Sequence, residues 1–327
     1  MRGINALRIP ISLQLALSPW QQANGCGYVD GVGTCPDSGL SWDVLNRLFG
    51  EAALRGMLIV LDMHNLEPEQ NIANELWYND KYSEADFIKG WNAVLRRFKS
   101  KPALMAIDLF NEPHGAASWG LGRKKTDWGL AATRIINAVH KAHPDYSGLF
   151  FVEGIWHNAP SVYTKPNQFD HWWGGNLDGL YDHPIKLSGA LVKKLVYAPH
   201  VYGPDVYEFQ GFFLSSKFPE NMPAIWDVQL GFIERVTYGR AAVIGEWGGS
   251  YTGQDEVLQN WLSGYLVNHC MSDNFFWAVN PERSVRIQSE KKVHACRKRL
   301  PVFLELQRLQ GQPDPLYRSC IGTPPPV

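Results

Sequence analysis

The chain has 327 residues, 45% of them hydrophobic, and a formal net charge of −1. That length supports a large core, and the balanced charge excludes the electrostatic footprint of a nucleic-acid or anionic-membrane binder. No window approaches 18 consecutive apolar residues, so no spanning helix is expected, and the opening MRGINALRIPIS is too quickly polar for a secretory signal peptide.

Seven short runs rich in apolar, β-branched or aromatic residues read as buried strands. In chain order they are ALRIPIS (6–12), MLIVLDMHN (57–65), LMAIDLFNEP (104–113), GLFFVEG (148–154), KLVYAPHVYG (194–203), AAVIGEWGG (241–249) and NFFWAVNP (274–281). Helical spacing of apolar residues at i, i+3, i+4 and i+7 fills intervals between them, at 42–56, 84–100 and 128–143. Strand and helix alternating at a steady interval predicts parallel βα units. Continuously apolar strands predict a sheet covered on both faces.

A (β/α)8 TIM barrel is the simplest such architecture. An open doubly wound sheet would carry a glycine-rich phosphate turn after an early strand, and no such turn occurs. Seven runs instead of eight predict that the first strand and its helix are missing before Met1. Residues 1–281 are expected to form this barrel. Residues 282–327 form an atypical basic C-terminal segment, with seven Lys or Arg between 283 and 299 and a Pro-rich end.

Two totals stand out. Aromatic residues make up 13% of the chain, with 13 Trp, either filling a big core or paving a site where flat ligands stack. Among the five Cys, Cys26 and Cys35 flank a Gly-rich loop and could close it as a disulfide or remain free thiols. Cys270, Cys296 and Cys320 lack metal-ligand spacing.

In a parallel barrel the C-terminal ends of the strands converge on one mouth, where chemistry occurs. Those ends carry Arg8; Asp62, His64 and Asn65; Asn111 and Glu112; Glu153; His200 and Tyr202; Glu246 and Trp247; Trp277 and Asn280. Buried strands do not gather ionisable groups without pairing or using them. Glu112 and Glu246 are two carboxylates facing one aromatic-lined mouth, the equipment for glycoside hydrolysis. One must be protonated to help the sugar oxygen leave, and the other ionised to attack the anomeric carbon. Arg8 is the natural partner to keep one of them charged. Tyr202 and His200 can add hydrogen bonds, and Trp277 offers a flat face to a pyranose. A lone Glu at a strand end is more often a capping acid, and Asn-Glu-Pro is by itself a turn. The weight lies in the coincidence. Glu153 reads as a buried supporting acid, and His114 receives no role.

These residues resemble the family 5 glycoside hydrolases, in particular the endo-β-1,4-glucanases. RIPIS, VLDMHN, LFNEPHG, FVEG, WWGGNL, VYAPHVYGPDVY, NMPAIW, VIGEWGG and FWAVNP occur in family order from about residue 3 to 281. The resemblance implies that Glu112 is the acid/base, that Glu246 is the nucleophile, and that Arg8 keeps the nucleophile ionised. It places Asn111 on the sugar 2-OH, and His64, His200, Tyr202 and Trp277 around the reacting sugar. Trp172 and Trp173 would pave neighbouring subsites. It implies a retaining mechanism, no metal or organic cofactor, a β-1,4-linked polysaccharide as partner, and a secreted monomer. The alternatives are a non-catalytic glucan-binding protein, or the same chemistry on mannan or xyloglucan. After FWAVNP the chain departs from the family, reading ERSVRIQSEKK where a glycine-rich acidic loop is usual.

Overall fold

The computed structural model describes residues 4–18, 20, 38–68, 73–157, 159, 170–237, 241–271 and 273–278. All seven expected runs form strand: β1 (Ala6–Ser12), β2 (Leu58–Asn65), β3 (Leu104–Asp108), β4 (Leu149–Val152), β5 (Leu195–Tyr197), β6 (His200–Tyr202), β7 (Ile244–Gly248) and β8 (Asn274–Trp277). The fifth run yields two of these. Pro199 has no N–H to donate to a ladder, and the strand breaks at Ala198-Pro199. As a result β5 pairs with β4, and β6 pairs with β7. The ladders are all parallel, in the orders β1-β2-β3-β4-β5 and β6-β7-β8. A bridge between Tyr197 and Ala242 links the two sheets, and β1 lies beside β8. This is an α/β TIM-barrel fold, although no ladder joins β8 to β1 among the described residues.

Helices α1 (Leu13–Leu17), α2 (Ser41–Leu54), α3 (Glu84–Phe98), α4 (Trp128–Ala142), α5 (Met222–Gln229), α6 (Ile233–Val236) and α7 (Gly253–Asn268) lie between and outside the strands. Their starts follow from sequence. Ser83 and Asp86 close a capping box at α3, and the Asp127 side chain caps α4 by accepting from the Leu130 N–H. The outward faces of the strands (Ile59, Leu61, Met63, Ile107, Phe150, Val152, Tyr197) pack on the apolar faces of α2, α3 and α4. Trp42, Trp77, Trp91, Trp119 and Trp128 are buried in this layer, so much of the tryptophan content belongs to the core. Two of these indoles also fix strand ends. Trp91 Nε1 donates to Leu109 O at 3.1 Å, and Trp128 Nε1 donates to Glu153 O at 3.0 Å.

The inward face alternates with period two. A lower layer is apolar: Ala6, Val60, Ala106, Phe151, Val196 and Phe275. Two positions further along the same strands stand Arg8, Asp62, Asp108, Glu153 and Trp277. The barrel therefore buries hydrocarbon below and presents ionisable groups above.

Cys26 and Cys35, Asn280, and residues 282–327 lie outside the described residues, as do the expectations placed on them.

Candidate active site

Arg8 is at the centre of the upper layer, its side chain 3% exposed. Nε donates to Asp108 Oδ2 at 2.9 Å. Nη2 reaches Glu153 Oε1 at 2.8 Å, Asp62 Oδ2 at 3.1 Å and Asn111 Oδ1 at 3.1 Å. Nη1 donates to Glu246 Oε1. A planar guanidinium has five N–H donors in a fixed fork, and a lysine could not span these partners. Asp62, Asp108 and Glu153 converge closely enough to hold an ion, but the space between them is taken by this guanidinium.

Glu246 is carried by β7 and is 4% exposed. Tyr202 Oη donates to its Oε2 at 2.6 Å, and His200 Nδ1 is 3.7 Å from the same oxygen. Burial alone would raise this carboxyl. The charges of His200, Arg8 and His64, with the Tyr202 hydrogen bond, overcome that and bring it down to about 2.

Glu112 follows β3. The chain leaves the strand through Asn111, whose N–H donates to Met63 O at 3.1 Å. Glu112 then takes φ +50°, a left-handed conformation that costs a non-glycine residue roughly 1–2 kcal/mol. Its N–H donates to Glu153 Oε2 at 2.7 Å, and its carbonyl lies 2.7 Å from His114 Nδ1. Its carboxylate Oε1 is 2.9 Å from His200 Nδ1. One carboxylate oxygen of Glu112, one of Glu246 and a ring nitrogen of His200 all lie within 4.8 Å of one another.

The other residues singled out from the sequence surround this pair. His64 Nδ1 is 2.7 Å from Asp62 Oδ2, and its ring stacks on Trp277 at 5.4 Å and 6°. Burial pulls the His64 pKa down, but the Asp62 charge and hydrogen bond leave it raised. Burial likewise works against the charged form of His200, and Glu153 and Glu246 lift it well above its ordinary value. Trp172 is buried, packing edge-on to Tyr202 at 5.9 Å and against Phe213. It thus backs Tyr202, while the half-buried Trp173 stacks on His114 at 3.8 Å and 4° and meets Trp156 edge-on at 6.2 Å.

Asp108 and His114 carried no signal strong enough to be read from sequence alone, and Glu153 read there only as a buried supporting acid. Asp108 is the inward residue that ends β3. Glu153 touches Arg8, His200 and Glu112 at once. Burial pushes Glu153 up to about 8 against the attraction of His200, and pushes Asp108 up to about 6 against that of Arg8. His114 touches both Glu112 and Trp173, and its position two residues after Glu112 was the available hint.

A parallel βα barrel whose mouth brings two glutamates together over a buried guanidinium has the architecture of a glycoside hydrolase. Residues 1–283 match the family model described as cellulase (glycosyl hydrolase family 5), and the chain belongs to that family. It is 36% identical over 285 residues to an endoglucanase of Paenibacillus polymyxa, covering 85% of this chain and 67% of the relative. It is 37% identical over 283 residues to the major extracellular endoglucanase of Xanthomonas campestris pv. campestris, covering 85% of this chain and 54% of the relative. The chain thus spans between about half and two thirds of the length of these relatives. The structure superposes on an endocellulase of Pyrococcus horikoshii with a TM-score of 0.79 at 33% identity, covering 91% of this chain and 83% of that one. The same endocellulase in complex with cellotetraose gives a TM-score of 0.78. No helix among the described residues is long and apolar enough to cross a membrane.

Proposed function

We propose that this chain is a retaining endo-β-1,4-glucanase in which Glu246 is the nucleophile and Glu112 the general acid/base. The observation that carries the reading is the approach of the two carboxylates, within 4.8 Å, with one of them held ionised. Retaining enzymes need such closeness, because the second carboxylate itself attacks; inverting enzymes leave room for a water between the two, at about 6.5–9.5 Å.

In the first step Glu246 Oε attacks the anomeric carbon. The glycosidic bond breaks as Glu112 gives its proton to the departing oxygen, leaving a glycosyl ester on Glu246. In the second step Glu112 takes a proton from water, the resulting hydroxide attacks the same carbon, and Glu246 leaves. Two inversions return the original β configuration. Arg8 and Tyr202 hold Glu246 as a carboxylate aimed into the mouth. Asn111, bonded through its side-chain oxygen to Arg8, is assigned to the sugar 2-OH. His64 and Trp277 form one wall around the reacting sugar and Trp173 another, with Trp172 acting through Tyr202.

The polymer lies outside cells, so we place the protein there, in keeping with the relative named as extracellular. The residues given roles come from one chain, so the monomer suffices.

The test is the release of reducing ends from a soluble β-1,4-glucan, with the anomer of the first product followed by NMR. The expected result is a β-anomeric first product, lost in Glu246→Ala and in Glu112→Ala. Activity that survives Glu246→Ala, or an α-anomeric first product, would refute the assignment.

A further inference from the structure

Glu153 is wholly buried and lies just beyond β4. Its backbone is pinned by the Trp128 indole, which donates to its carbonyl at 3.0 Å. Both side-chain oxygens are engaged. Oε2 accepts from the Glu112 N–H at 2.7 Å. Oε1 faces Arg8 Nη2 at 2.8 Å and His200 Nε2 at 3.2 Å. The opposite nitrogen of the same imidazole, Nδ1, is 2.9 Å from the Glu112 carboxylate. One buried carboxyl therefore holds Glu112 twice, directly through the backbone and indirectly through the ring that touches its side chain.

The direct hold matters because Glu112 is in a left-handed conformation, φ +50°. A strained backbone persists only where the surroundings over-determine it. Gly174 shows the same constraint from the other side. A Cβ there would lie 2.5 Å from Glu153 Oε2 and 3.4 Å from Glu112 Cα, so only glycine leaves room for the contact.

We propose that Glu153 is a positioning residue for proton transfer: it fixes the backbone of Glu112 and the ring of His200 so that the Glu112 carboxyl meets the glycosidic oxygen. This rests on the assignment of Glu112 as acid/base. It separates Glu153 from Asp62 and Asp108, which contact Arg8 and have no contact with Glu112 among the interactions described.

The consequence is a selective defect. An activated aryl glycoside expels its leaving group without protonation, whereas a glucan link needs the acid. Loss of a positioned general acid removes roughly 100-fold or more from the step that uses it. The experiment compares kcat/KM of the wild type, Glu153→Ala and Glu153→Gln on a soluble β-1,4-glucan and on 2,4-dinitrophenyl β-cellobioside. Glu153→Ala is expected to fall about 100-fold on the glucan and less than about 10-fold on the aryl glycoside. Glu153→Gln keeps the shape but offers one acceptor to donors on two sides, and is expected to fall between wild type and Glu153→Ala on the glucan. If Glu153→Ala does not fold, as judged by circular dichroism, the same comparison is made with Glu153→Gln alone. Equal losses on the two substrates, or glucan activity within about two-fold of wild type, would overturn the proposal. A wild type inactive on both substrates would overturn the glucanase reading itself, which is a distinct outcome.

Discussion

Replacing Arg8 by methionine tests the electrostatic core of the site. The substitution keeps an unbranched stem of similar reach and removes one positive charge that has four carboxyl groups around it: Asp62, Asp108, Glu153 and Glu246. With both histidines protonated, His64 and His200 would remain as the cations within the cluster. Removing one partner of a buried ion pair costs about 3–5 kcal/mol, because the other charge is left uncompensated. At about 2.1 cal/mol/K of unfolding entropy per residue, a chain of this length unfolds with about 0.7 kcal/mol/K, so the thermal midpoint should fall by about 4–7 °C at pH 7. The loss should shrink at pH 5, since Asp108, raised to about 6, takes up a proton between the two pH values, whereas Glu153, at about 8, holds its proton at both. Glu246 also loses one of the charges that bring it down to about 2, so the acid limb of kcat/KM should move to higher pH. Calorimetry at the two pH values and a pH–rate profile on a soluble glucan measure both effects. Arg8→Lys should recover part of the stability, since a point charge remains, but little of the activity, because one ammonium cannot span the five partners. A midpoint drop under about 2 °C that is equal at both pH values, with an unmoved acid limb, would refute this account of the cluster.

Three further outcomes follow from the same geometry. The thermal midpoint of the wild type should be highest in mildly acidic solution. The depressed Glu246 contributes stability that is present above its ordinary value of 4.5 and lost as pH falls toward about 2. The raised Asp108, Glu153, His64 and His200 contribute stability present at low pH and lost as pH rises through their folded values; a midpoint that climbs steadily from pH 5 to 8 would contradict this. Tyr202→Phe removes a hydrogen bond to a buried carboxylate, a contact worth about 1.5–3 kcal/mol. It should lower kcat/KM by about 10- to 100-fold and raise the acid limb, and kinetics within about two-fold of wild type would count against the Tyr202–Glu246 contact. Gly174→Ala meets Glu153 Oε2 at 2.5 Å and adopts φ +71°, so it should lower both the midpoint and glucan turnover; a neutral effect on both would mean that the contact yields freely.

The strands were legible because each is a continuous apolar run closed by a polar residue, and burial on both faces leaves little other pattern. The ends of those runs were legible for the same reason: an Arg, an Asn-Glu or a second Glu breaks the apolar pattern at once. The split of the fifth run was visible only as a proline, because which neighbour each half pairs with depends on strands distant in sequence. Trp172 and Trp173 are adjacent in the chain and looked equivalent. One turned out to be buried behind Tyr202, and the other stacks on His114. Glu153 looked like a supporting acid. Its contact with the Glu112 N–H crosses 41 residues, and no local spacing encodes it.

From sequence alone came the kinds of groups present and the strand end each one closes, because alternation along a strand is local geometry. The tertiary structure decided which of them meet. Arg8 and Glu246 are separated by 238 positions, and only the curvature of the parallel sheet brings them into contact. It also decided their charge states, because the pKa of a buried carboxyl is set by burial and by the charges folded against it. Glu246 within β7 and Glu153 just past β4 are the same residue type and both buried, yet one is drawn down to about 2 and the other pushed up to about 8.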